Sequence, residues 1–217
     1  MKTKSGMDSK EVQRLELARV AVLGTGCVGR YTAETLLKNG VGTVDLIDIS
    51  RTHGRIESRK GGGLHYDYIV DTSDTEIDKS DLIRMACEDE IPVIICAGTG
   101  NRINPAALEV TDGFGMPEGL DTEKVRRELC EGGIRKFKIV YSREEPADSG
   151  ADSKTDPSAS ACSHCTCPPD RARRCTKRRR SSDCNAYVTA MAGMLLASEV
   201  IFDLVDEIAV CGKDHIN

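Results

Sequence analysis

The 217-residue chain has no tryptophan, three phenylalanines and five tyrosines. So few rings exclude a single-strand nucleic-acid binder built on aromatic stacking platforms. Positive charge is not in excess either: 30 Lys and Arg stand against 35 Asp and Glu, a formal net charge of −5. The surface as a whole does not attract a polyanion, so any nucleic-acid contact has to be local. Met1 to Lys10 is charged and lacks the apolar core of a secretory leader, which predicts a cytoplasmic protein. No apolar run reaches the ~20 residues of a membrane span. The most apolar, Ala186 to Ala197, closes at Ser198 and Glu199 and reads as a core helix, so no membrane association is expected. Ten cysteines without a leader point to thiols, metal or packing rather than to a disulfide framework.

What is present is a soluble globular composition, 39% hydrophobic and 30% charged, with the length of one main domain. Its sharpest feature is Gly24-Thr25-Gly26-Cys27-Val28-Gly29, between the apolar run Arg19 to Leu23 and a helical stretch, Cys27 to Asn39. In a Gly-x-Gly-x-x-Gly loop the first glycine permits the turn, the second admits phosphate to the backbone, and the third lets helix pack on strand. The pattern predicts nucleotide binding. Further strands are expected at 44–48, 67–71, 91–96, 108–111 and 137–141, and helices at 11–18, 76–88 and 122–130. Val28, Ala33, Leu36 and Leu37 are available for burial on the first long helix, and Ile77, Leu82, Ile83, Met85 and Ala86 on the one at 76–88. The alternation predicts a doubly wound, mostly parallel α/β sheet of Rossmann type over residues 1–142.

From 143 to 183 periodicity gives way to Pro, Ser, Asp, Cys and Arg, the composition of a flexible insertion. Residues 184–217 are expected to return as a C-terminal helix on the main domain, with Val188, Met191, Met194, Leu195, Ile201, Phe202 and Leu204 on its covered face. Within the insertion Cys162, Cys165, Cys167 and Cys175 offer enough thiolates for a tetrahedral zinc. Cys-x-x-Cys is only half a ligand set, however, and the remaining spacing is irregular. The basic run from Arg171 to Arg180 suits tRNA phosphates and equally suits a solvated linker.

Asp48 stands where dinucleotide-binding folds place the acid that holds a ribose. Asp71-Thr72-Ser73-Asp74 ends the third strand, and two acids beside a phosphate loop suit Mg²⁺. Lys79, one turn on, can face a triphosphate. The plainer alternative makes Asp74 a helix cap and Lys79 a solvated side chain.

Together, the segments Val20 to Asp48, Asp67 to Thr75, Ile91 to Gly98, Asn101 to Asp112 and Lys138 to Pro146 resemble the ThiF/MoeB-type adenylating superfamily. Ala97-Gly98-Thr99-Gly100-Asn101, Glu109-Val110-Thr111-Asp112 and Val140 to Pro146 are similar to the branch of tRNA threonylcarbamoyladenosine dehydratases, the TcdA/CsdL-like proteins. The resemblance implies an ATP-dependent tRNA-modification enzyme. A threonyl carboxylate would be activated as an acyl-adenylate, and ring closure with net loss of water would follow. It implies that Gly24, Gly26 and Gly29 cradle ATP, Asp48 holds the ribose, Asp74 serves Mg²⁺ or the phosphates, and Lys79 neutralises phosphate charge. It also implies a homodimer and a sulfur-transfer partner protein. Two departures stand out: Cys27 replaces a glycine of the family loop, and the Ser-Asn-x-x-Arg-Gln motif expected soon after Asp48 is absent. Only residues 49 to 66 link the second and third strands, which predicts a shortened sheet and weakened phosphate handling. An adenylyltransferase for a ubiquitin-like sulfur carrier, and a catalytically impaired nucleotide- or RNA-binding relative, remain open alternatives.

Overall fold

Strand β1 (Arg19–Leu23) is the centre from which the sheet is laid out. β2 (Thr43–Ile47) and β3 (Tyr68–Asp71) flank it, both parallel to it. β4 (Val93–Cys96) and β6 (Lys138–Ser142) extend the parallel pairing, and β5 (Leu108–Asp112) closes the edge antiparallel to β6. The order is β2-β1-β3-β4-β6-β5, the expected mostly parallel, doubly wound arrangement. This computed structural model describes residues 7–48, 66–73, 79–113, 115, 137–145 and 185–206. The crossover at 49–65, the helix expected at 122–130 and the Cys/Arg-rich insertion lie outside the described residues.

The helices are α1 (Ser9–Leu17), α2 (Cys27–Lys38), α3 (Lys79–Glu88) and α4 (Ala186–Asp206). α1 begins at a capping box: the Asp8 carboxylate accepts from the backbone N–H of Lys10 and Glu11 at 2.7 and 2.9 Å, and the Glu11 side chain accepts from the Asp8 N–H. Those two bonds hold the Asp8 carboxyl below the usual carboxylate range.

The four inner strands are buried on both sides, and side-chain alternation divides the core. Val20, Val22, Tyr68, Val70, Ile94, Cys96 and Val140 meet α1, α2 and α4, while Ala21, Leu23, Ile69, Val93, Ile95 and Ile139 meet Ile83 and Ala86 of α3 together with Phe137.

α4 corrects two expectations. It is 21 residues long and apolar enough by length and composition to cross a membrane, unlike the shorter run read from the sequence, yet 56% of its apolar window is buried inside the fold. Its covered face is also only partly the one expected: Val188 and Ile201 are buried and Leu195 and Leu204 pack against the core, but the rest of the face is turned. Val188, Ala192, Gly193, Leu196, Ala197, Val200 and Ile201 are buried, whereas Met191, Met194 and Phe202 are exposed. The small residues explain the choice. A Cβ at Gly193 would stand 2.7 Å from Tyr31 Cβ and 2.9 Å from the Val28 carbonyl, so α2 and α4 approach closely along this stripe. Leu37 and Met85, expected in the core, are likewise exposed; each lies off the stripe its helix turns inward.

At the N-terminal edge of the sheet, the Tyr68 hydroxyl donates to Asp203 at 2.7 Å, and Lys138 Nζ donates to Asp203 at 2.6 Å and to Glu199 at 2.8 Å. Burial, and then the Asp203 charge, push the Tyr68 phenol well above its ordinary value. Burial pulls the Lys138 ammonium down, but the bonds to Asp203 and Glu199 outweigh it and leave its pKa raised. Cys27 and Cys96 are not in disulfides. Cys87, against the expectation of thiols, is in a disulfide whose partner lies outside the described residues.

Candidate nucleotide site

The glycine loop occupies the crevice where strand order reverses, between the C-terminal ends of β1 and β3, the place where open parallel sheets bind ligands. Each glycine meets a different surrounding. Gly24 has φ +102°, the left-handed region that favours glycine, and a Cβ there would meet Thr72 Oγ1 at 2.8 Å. A Cβ on Gly29 would stand 2.0 Å from the Gly24 carbonyl oxygen, so this glycine lets α2 close on the turn. Gly26 faces nothing within 4 Å among the described residues. It also caps α2 without a side-chain hydrogen bond, so the open side of the loop is lined by backbone at a helix start. That is a fit to a phosphate group rather than to a packed side chain.

The cradle is tied to its neighbours by backbone. Gly24 N–H donates to the Ile47 carbonyl at 2.9 Å, joining the loop to the end of β2. Thr72 donates twice to the Leu23 carbonyl, through N–H at 2.9 Å and Oγ1 at 2.8 Å. Cys27 opens α2 and is exposed beside the loop. Asp48 follows β2 directly and is half-buried.

Asp71 departs from the paired-acid reading. It is buried, and its Oδ1 accepts from Ser73 N–H at 2.9 Å and Ser73 Oγ at 2.6 Å. The carboxylate therefore shapes the turn after β3. Asp74 lies outside the described residues. Lys79 is the first residue of α3, with its side chain outside them. Cys162, Cys165, Cys167 and Cys175 lie outside them too. Among the described residues no group of three His, Cys, Asp or Glu is placed to hold a metal ion.

The structure adds one residue to this edge that sequence reading passed over. Arg102 follows the loop at the end of β4 and is 4% exposed. Its Nε donates to the Gly98 carbonyl at 2.8 Å, while Nη1 is buried without a hydrogen-bond partner among the described residues. The loop bends through positive φ at Gly98 and Asn101. Asn185 Nδ2 donates to the Arg102 carbonyl at 2.6 Å, and Glu144 accepts from the N–H groups of Ile103 and Asn104 at 2.9 and 2.8 Å. The signal available in the sequence was a cation at the end of a glycine-rich turn after a fully apolar strand.

No protein-family model matches the chain. A tRNA threonylcarbamoyladenosine dehydratase of Bacillus subtilis is 24% identical over an alignment of 245 positions, which takes in 92% of this chain and 91% of the relative. An Escherichia coli protein of the same name is 25% identical over 48% of this chain and 54% of its own length. The first alignment is longer than the chain itself, so the relative carries residues that this chain lacks, as the short connection after Asp48 leads one to expect. Among solved structures, TcdA (CsdL) superimposes with a TM-score of 0.62 at 19% identity, covering 92% of this chain and 90% of that one. E. coli tRNA N6-threonylcarbamoyladenosine dehydratase, TcdA, in complex with ATP, gives 0.63 over the same shares. At such identity the superpositions establish a shared fold.

Proposed function

We infer, from the premise that this chain belongs to the TcdA/CsdL-like branch of the ThiF-type adenylating family, that it is an ATP-dependent enzyme cyclising threonylcarbamoyladenosine in tRNA. The observation that carries this is the division of labour in the loop: Gly24 and Gly29 are closed against their neighbours, and Gly26 alone is open. A loop built that way admits phosphate oxygens at one point and excludes side chains elsewhere. ATP supplies the leaving group that a threonyl carboxylate lacks. The chain's own part is to hold the phosphates on the glycine loop, the ribose at Asp48 and the phosphate charge at Lys79.

Mg²⁺ belongs to the same proposal, with Asp74 as its protein ligand, because Asp71 is committed to Ser73. Zinc on Cys162, Cys165, Cys167 and Cys175 is a proposal carried by the number of thiolates in that stretch, and a homodimer and a sulfur-transfer partner are proposals carried by the family resemblance alone. The test is AMP formation and ring closure on tRNA bearing threonylcarbamoyladenosine, with Asp74→Ala beside the parent. The parent should turn over only with ATP, and Asp74→Ala should lose at least tenfold. Unchanged turnover in Asp74→Ala removes that residue from the site. Pyrophosphate exchange that requires a Gly-Gly-ended carrier and ignores the tRNA replaces the substrate.

A further inference from the structure

Arg102 is a buried cation with no carboxylate paired to it among the described residues. Removing a guanidinium from water is unfavourable unless its charge and its donors are met. Here one donor is used on the Gly98 carbonyl, and Nη1 has no partner among the described residues. The position is not incidental. Leu23 is paired with Asp71, and Asp71 with Ile95, so Gly24, Thr72 and the Ala97–Gly98 turn leave the sheet side by side at one edge. The guanidinium lies against the turn backbone, with Nη2 3.4 Å from where a Cβ on Gly98 would be. Asn185 and Glu144 fix the backbone at Arg102 and at the two residues after it. The group is thus held against the turn after β4, the strand next to β3, at the same C-terminal end of the sheet as the glycine loop.

We propose that Arg102 receives an oxyanion in this crevice through Nη1, either a phosphoryl oxygen of the nucleotide or the carboxylate brought to it. A permanently charged planar fork suits both. A cation at this point also lowers the repulsion between two anions that must approach each other before they can react. The inference rests on the nucleotide reading of the crevice.

The test uses Arg102→Gln, which keeps a donor for the Gly98 carbonyl and removes the charge, and Arg102→Met as a second neutral variant. Binding of AMP is compared with adenosine, and binding of the threonylcarbamoyladenosine nucleoside with its carboxyl methyl ester. In the parent, the anionic member of one pair should bind at least tenfold more tightly than its neutral counterpart. In the variants the preference in that pair should fall at least fivefold, what remains in the AMP pair being the share of the glycine loop, with unliganded Tm unchanged or raised. Loss confined to the AMP pair identifies phosphate as the partner, and loss confined to the nucleoside pair identifies the carboxylate. An anion preference undiminished in either folded variant, or absent from the parent, overturns the proposal. So does failure of both variants to fold, which makes Arg102 a strut of the loop. An Arg102-dependent anion preference without AMP release on the tRNA would instead sink the enzymatic reading alone.

Discussion

At the scale of single residues, the glycine loop separates folding from binding. Gly29→Ala forces a Cβ against the Gly24 carbonyl, and overpacking of this kind costs about 1–3 kcal/mol. Gly26→Ala meets no protein atom, and Gly26 already has φ −69°, so its stability should stay within about 1 kcal/mol of the parent. The expected pattern is a lowered denaturation midpoint for Gly29→Ala, and for Gly26→Ala a nearly normal midpoint with weakened ATP binding. Chemical denaturation and ATP titration on the same two proteins check it; equal ATP affinity for Gly26→Ala and the parent would remove the phosphate from this loop. The three glycines were legible in the sequence because each answers a local demand of turn, approach or packing. Arg102 was not, because the loop that carries it is fixed by Asn185 and Glu144, both distant in sequence. The bonds from Ser73 to Asp71 were not legible either, because an acid at the end of a strand reads the same whether or not it also binds its own turn.

At the scale of elements, the strands were readable because continuous apolar runs in a parallel sheet leave little choice. α4 was less so. Its apolar residues go almost all the way round, and which face turns inward is settled by Gly193 and Ala192 meeting α2 rather than by size or hydrophobicity. Phe202, the larger group, is left 58% exposed. Gly193→Ala should therefore destabilise by about 1–3 kcal/mol although alanine is the better helix former. Phe202→Ala, exposed, should stay within about 0.5 kcal/mol. Urea midpoints of the two variants measure the contrast, and equal midpoints would refute close packing of α2 on α4.

At the scale of the whole molecule, the Tyr68–Asp203–Lys138 cluster clamps α4 to β3 and β6 at the edge opposite the crevice. Removing the shared acceptor with Asp203→Ala strands a buried hydroxyl and most of the pairing of an ammonium, a loss of about 2–3 kcal/mol. The cluster also sets a pH dependence. Both folded pKa values are raised, so both groups hold protons in the folded state that the unfolded chain gives up near pH 10 and above. Stability should be level below that range and fall as pH rises through it. The fall should be shallower in Asp203→Ala, and Tm measured from pH 8 to 11 follows it. The crevice lies at the other end of the strands, so the loss should leave ATP affinity of the folded fraction intact.

The packing of α4 on α2 also bears on how this chain tolerates length. Contact between the two joins positions ~150 residues apart, and the entropy of closing so large a loop grows only with the logarithm of its length, by about 0.6 kcal/mol per doubling. Adding or deleting 40 residues within it changes that term by only about 0.2–0.3 kcal/mol. Sequence between β6 and α4 is therefore free to vary in length at almost no thermodynamic penalty, while a single methyl group at Gly193 is not.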